Sequence, residues 1–197
     1  MSTNHSNNPK SGSSIKVEPI RDPKAIRRIK AILSEKPRDL CLFTLGINTG
    51  YRASELLAIE VKQVSHLTTG ERLSVKQKKT GKYRAVTLNA ACIDSIHDLI
   101  RSKDFDTDDH LFKSQRGVLT TATLNRMVKA WCADVGLKGN YGSHTLRKTW
   151  GYMQRVKQNA PIPLLMEAFG HANQKQTLAY LCIQEKEIQD LYLGMEL

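Results

Sequence analysis

The chain has 197 residues, 40% hydrophobic and 25% charged, enough for one domain with a buried core and unlike a wholly disordered chain. Lysine and arginine (30) outnumber aspartate and glutamate (19), and the formal charge of +11 suits an anionic partner, nucleic acid ahead of an anionic membrane surface. No apolar run approaches the roughly 20 residues of a membrane span, the first 14 residues have no apolar signal core, and no C-x-x-C pair suggests zinc or a redox dithiol, so a reducing cytoplasm is the expected setting.

Residues 1–20 are rich in Ser, Asn, Gly and Lys and read as a disordered polar tail, with 21–197 as one folded domain. Asp22-Pro23 is an N-cap followed by proline in the first turn, and Ile26, Ile29 and Leu33 continue a helix. A second helix is predicted from Pro37 to Asn48, ending near Thr49-Gly50, and a short one over Ser54 to Ile59. The pattern then changes. Arg72–Gln77 and Tyr83–Leu88 are β-compatible runs joined by Lys78-Lys79-Thr80-Gly81-Lys82, which reads as a hairpin.

Asn89 caps a helix to about Arg101, and residues 102–119 form a polar connection with a buried patch at Leu111-Phe112. Thr120 or Thr121 caps the next helix, which ends at Gly136. Helices over 143–157 and 162–169 follow, then one from near Asn173 and a last one over Glu185–Leu193. The fold class is mainly α with a small antiparallel β-hairpin. Cys41, Cys92, Cys132 and Cys182 each sit in an apolar-periodic stretch and read as buried, reduced thiols.

Four segments place phosphate-competent groups beside a turn or helix start. In Thr49-Gly50-Tyr51-Arg52 the glycine permits a tight turn, and Arg52 opens a helix with Glu55 three residues on, able to orient it. Taken alone, this reads as a surface ion pair. The hairpin lysines Lys78, Lys79 and Lys82 could protonate a leaving oxygen, or simply be a solvated turn. His144 and Arg147 share a face at a helix start, where anions are favoured. Gly170-His171 leads into a helix carrying Thr177 and Tyr180, which alone would read as a core or rim aromatic.

Together they supply arginines, histidines, a lysine and a hydroxyl nucleophile, with no paired-carboxylate metal site and no cofactor motif. Phosphoryl transfer is mainly positioning and charge stabilisation, so two arginines can take a metal's place.

In the order and spacing of these boxes the sequence resembles the tyrosine recombinase (phage integrase) family. The match runs from Thr49-Gly50-Tyr51-Arg52 with Glu55-Leu56, through Lys79-Thr80-Gly81 and His144-Thr145-Leu146-Arg147, to Gly170-His171 with Thr177 and Tyr180. The resemblance implies the DNA breaking-rejoining catalytic-domain fold and a metal-free, ATP-free site-specific recombinase. In that scheme Arg52 and Arg147 clamp the scissile phosphate and His171 donates a further hydrogen bond. Tyr180 attacks, leaving a 3′-phosphotyrosine, while Lys79 protonates the leaving 5′-oxygen, His144 assists proton transfer, and Glu55 stands behind Arg52. The partners it implies are double-stranded DNA, copies of the chain in a tetrameric synapse, and accessory DNA-bending proteins, in a bacterial or phage-encoded, mobile-element setting.

Two positions depart from the family pattern: Lys148 stands where histidine is frequent, and Phe169 where leucine is common. The family's separate N-terminal helical domain has no counterpart in the polar first 20 residues. An excised catalytic domain and a short recombinase akin to the fimbrial phase-switch invertases both fit. Rival readings are a type IB topoisomerase, whose box spacing matches less well, a catalytically silent DNA-binding regulator on the same fold, and an RNA-binding domain. The regulator is opposed by the intact tyrosine and arginines. The RNA-binding domain is opposed by the lack of aromatic-rich strands.

Overall fold

The first helix is fixed by its cap. The Asp22 carboxylate accepts from the backbone N–H groups of Lys24 (2.8 Å) and Ala25 (3.2 Å), and Pro23 fills the first turn, where a missing N–H is harmless. The computed structural model describes residues 16–78, 81–114, 117–183 and 185–196. Along them run helices α1 (Pro23–Ile32), α2 (Pro37–Thr49) and α3 (Ala53–Leu57), then strands β1 (Arg72–Lys76) and β2 (Tyr83–Thr87). Helix α4 (Ala90–Arg101), short strands β3 (Lys113–Ser114) and β4 (Gly117–Val118), and helix α5 (Thr121–Asp134) follow. Helices α6 (Ser143–Gln158), α7 (Ile162–Phe169), α8 (Gln174–Leu181) and α9 (Glu185–Leu193) complete the order.

The expected mainly α architecture with an antiparallel hairpin is the one adopted, and Asn89 and Thr120 cap α4 and α5. The pairing of β3 with β4 was not foreseen, because two residues per strand are too few to show an alternation. Residues 1–15 of the expected polar tail lie outside the described residues. Residues 16–20 lie against the domain: Glu18 N–H donates to the Asn140 carbonyl, and the fully buried Ile20 donates its N–H to the Thr149 hydroxyl, each at 2.8 Å. Pro19 and Ile20, both buried, anchor a segment whose average composition is polar.

Helix α2 is the centre of the main core. Its run Cys41 to Gly46 is buried on every side, as expected of a helix enclosed by neighbours. Phe43 meets Trp131 of α5 edge-on with ring centres 5.9 Å apart. Against α6 the approach is close enough that a Cβ on Gly46 would stand 2.5 Å from Leu146 Cδ1. A second, smaller cluster lies apart from this core: Leu165, Phe169 and Leu181, with Trp150, Ile162 and Tyr180 against it.

In the β1–β2 hairpin Leu73 pairs with Val86 and Val75 with Arg84, so these four residues share one face. Leu73 and Val75 are buried, which makes that face the inner one. The hairpin is closed by Gln77 N–H to Lys82 O (2.8 Å). Cys41, Cys92 and Cys132 are buried and unpaired as expected, and burial raises each thiol's pKa, to about 11 at Cys92. Cys182 differs. It is only half-buried and ends α8 in the left-handed conformation (φ 51), so it belongs to a helix exit rather than the core.

Candidate active site

The site grows from the turn after α2. Gly50 ends that helix at φ +60, and a Cβ there would lie 2.7 Å from the Trp150 ring, so both backbone and space require glycine. Its carbonyl accepts from two guanidinium groups, Nη1 of Arg84 (2.9 Å) and Nη1 of Arg147. Arg52, the N-cap of α3, follows at once. Its backbone N–H donates to Glu55 Oε2 (2.6 Å) and its Nη1 to Glu55 Oε1 (2.9 Å). Arg84 reaches the same carboxylate at 3.2 Å. Glu55 is 1% exposed, a buried negative charge held between two arginines, and this pairing keeps the cluster of like charges together.

Arg147, on the first turns of α6, is likewise 1% exposed. Besides Gly50, its Nη2 donates to the Phe169 carbonyl (2.6 Å), and its guanidinium lies 4.8 Å from the centre of the Phe169 ring. Its Nε is buried with no partner among the described residues, a donor that an anionic oxygen could take. Burial, then Arg84 and Arg52, push its pKa down to about 9.

Across the site, Gly170 turns the chain out of α7 and His171 stacks on Phe169 with ring centres 4.9 Å apart and planes within 15°. Its Nδ1 meets Thr177 Oγ1 at 3.1 Å. Burial, followed by Arg147, Arg52 and Arg84, lowers its pKa to about 4. The Tyr180 hydroxyl lies 2.6 Å from His144 Nδ1, and the Arg147 guanidinium lies 5.7 Å from the centre of the Tyr180 ring. Burial raises the phenol pKa against the opposing pull of Arg147 and Arg52. His144 is lowered, by burial first and then by Arg147, Lys148 and Arg52. A protonated phenol therefore faces a neutral imidazole, which is the pairing that lets a hydroxyl be deprotonated as it attacks.

Arg52, Glu55, His144, Arg147, His171 and Tyr180 are thus gathered by four separate stretches of chain. Lys79 lies outside the described residues. Three further residues were not read as functional from the sequence. Arg84 was missed, although a charged residue on the inner face of an amphipathic strand was the available signal. Phe169 is a fully buried platform beneath His171, Arg147 and Tyr180, and the bulk noted as a family departure is what fills that place. Lys148, the other departure, is buried with Nζ 5.2 Å from the centre of the Tyr180 ring and 3.4 Å from Cys182 Sγ. No sequence signal for that contact was present. Among the described residues, no three His, Cys, Asp or Glu side chains converge as a metal site.

The model of the "Phage integrase family" matches residues 22–187. The probable integrase/recombinase YoeC of Bacillus subtilis is 31% identical over 181 residues, which cover 89% of this chain and 95% of YoeC. Tyrosine recombinase XerC of Caldanaerobacter subterraneus subsp. tengcongensis is 31% identical over 160 residues, 79% of this chain but 44% of that protein. In fold, the chain resembles the crystal structure of XerA recombinase (TM-score 0.73, 22% identity, 90% of this chain and 65% of that one). It also resembles XerH site-specific recombinase bound to its palindromic difH substrate in a post-cleavage complex (TM-score 0.72, 23% identity, 94% and 55%).

Proposed function

The chain belongs to the phage integrase family, and from that premise we propose that it is a site-specific DNA recombinase working through a covalent 3′-phosphotyrosine. The observation that carries this reading is the Tyr180 hydroxyl held 2.6 Å from His144, with the Arg147 guanidinium 5.7 Å from the centre of its ring. Arg52 and Arg147 take the non-bridging oxygens of one DNA phosphate, with His171 as a further donor. Tyr180 oxygen attacks phosphorus as its proton passes to His144. The bond from phosphorus to the 5′-oxygen breaks, and that oxygen receives a proton from Lys79. A 5′-hydroxyl from another strand reverses the step and joins the new pair of ends. Each bond broken is replaced by one of the same kind, so no ATP is consumed.

Double-stranded DNA is the partner that the surplus of positive charge favours, through phosphate contacts and counterion release. The test is a nicked duplex bearing a site that the protein selects from a randomised pool. The nick lets the short 5′-hydroxyl product diffuse away and traps the protein on DNA. A covalent adduct that forms at the full rate in EDTA is expected, because the arginines supply the charge that a metal would. An adduct that needs magnesium overturns the metal-free scheme, and no adduct at all favours a DNA-binding regulator.

We also propose that strand exchange takes place in a ring of four protomers. Support comes from α9, where Leu191, Tyr192 and Leu193 are each about four-fifths exposed while the helix is tethered through the Arg155–Glu187 ion pair. An apolar face left in solvent suits burial on a neighbour, and a head-to-tail exchange closes into a ring. Ending the chain after Gln184 is expected to leave single-site DNA affinity within about 3-fold while lowering two-site recombination at least about 10-fold. Full recombination by the shortened chain, or its unfolding, assigns α9 to its own domain.

A further inference from the structure

Arg84 is the most heavily engaged side chain near the site, and the proposed chemistry gives it no part. Its Nη1 donates to the Gly50 carbonyl (2.9 Å) and to Glu55 (3.2 Å). Its Nη2 donates to the carbonyls of Thr49 (3.3 Å) and Ala168 (2.9 Å). The guanidinium also lies 5.2 Å from the centre of the Tyr51 ring, whose hydroxyl donates to the Leu73 carbonyl of β1 (2.6 Å). One residue of β2 thus binds the turn that carries Arg52 and the end of α7 that precedes Gly170-His171.

Only an arginine can do this. Its donors lie in one rigid plane and reach several carbonyls at once, whereas a lysine offers a single point of attachment. The location is equally telling. Arg84 is two residues beyond Lys82, which closes the hairpin with Gln77, and Lys79 stands between that pair in the sequence. A two-stranded ribbon is a weak platform by itself. A general acid needs its proton within hydrogen-bond reach of the leaving oxygen, so the ribbon must be fixed relative to the phosphate clamp. The Arg84 bonds supply that fixing, since Arg147 meets the same Gly50 carbonyl and the neighbouring Phe169 carbonyl.

We propose that Arg84 is a positioning residue for strand cleavage: it locks the base of the β1–β2 hairpin to the two turns bearing Arg52 and His171, so that the hairpin lysine meets the phosphate that the arginines hold. This rests on the reading of Lys79 as the acid for the leaving 5′-oxygen, and the experiment separates the two. Single-turnover cleavage is measured with the full chain on the nicked selected duplex, with either an ordinary phosphodiester or a 5′-bridging sulfur at the scissile position. Sulfur is a good leaving group and needs no acid.

Arg84→Lys and Arg84→Gln are expected to cleave the phosphodiester at least about 100-fold more slowly than the unaltered protein, with DNA affinity within about 3-fold. The sulfur substrate is expected to restore both variants, and Lys79→Ala, to within about 10-fold, whereas Arg147→Ala stays slow. A merely structural role for Arg84 predicts equal slowing on both substrates. That result, beside rescue of Lys79→Ala, overturns the inference and leaves the reading of Lys79 standing. Rescue of the Arg84 variants without rescue of Lys79→Ala keeps the inference and moves the acid to another group on the hairpin. Cleavage of the phosphodiester at the full rate by either Arg84 variant also overturns it. Thermal unfolding is followed in parallel, and Arg84→Gln, which keeps Glu55 paired with Arg52, provides the measurement if Arg84→Lys does not fold.

Discussion

Tyr180→Phe is expected to form no covalent adduct with the nicked duplex, a loss of at least about 10⁴-fold, while binding it within about 3-fold of the unaltered protein. The substitution removes one oxygen and keeps the ring. That ring packs 5.4 Å from Phe169 and 5.1 Å from His171, centre to centre, so the geometry around the clamp persists. The lost hydrogen bond to His144 is worth about 1 kcal/mol, too little to unfold a domain. Gel electrophoresis of labelled DNA under denaturing conditions reads the adduct, and native gels read the affinity. A covalent product from the phenylalanine variant would assign the nucleophile to another side chain.

Arg147 is expected to show the second large effect, of a different kind. Arg147→Ala should slow cleavage at least about 1000-fold, as losing a preorganised donor to the transition state does. It should also lower thermal stability, which Tyr180→Phe should not. The guanidinium serves the carbonyls of Gly50 and Phe169 in a place that is 1% exposed, and each carbonyl left bare there costs about 1–3 kcal/mol. Relief of repulsion from Arg84 and Arg52 offsets part of that loss. Arg147→Lys keeps the charge without the fork, and should remain at least about 100-fold slow. Cleavage by Arg147→Lys within 10-fold of the unaltered rate would remove Arg147 from the phosphate clamp.

Much of this was legible in the sequence because it is written locally. Asp22, Asn89 and Thr120 mark helix starts by the hydrogen bonds their own side chains make within three residues. Gly50 and Gly170 mark helix ends by their left-handed backbone. The resemblance of Arg52, His144, Arg147, His171 and Tyr180 to a family's boxes then assembled them before any geometry was known. What was not legible is written across the fold. Arg84 acquires its importance from carbonyls 34 and 84 positions away, and from a hairpin register that sets it opposite Val75. Phe169 and Lys148 matter through contacts with Tyr180 that no spacing rule connects to them. Composition likewise averaged over Ile20 and missed that it enters the core.

The division of the apolar interior into two clusters has a consequence for how the domain breathes. Arg52 and Arg147 are rooted beside Leu56 and Leu146 in the large cluster, whereas His171 and Tyr180 ride on the small one of Leu165, Phe169 and Leu181. Stability within a domain is not uniform, and a unit with so few buried side chains opens at a smaller free-energy cost than the whole. Helix α8, whose buried side chains are Thr177 and Leu181, can therefore loosen while Arg84 and Arg147 stay bonded to the end of α7. Tyr180 can then be withdrawn and returned without the bonds of Arg84 and Arg147 being rebuilt each time, and amide exchange will be faster along α8 than along α2 and the start of α6.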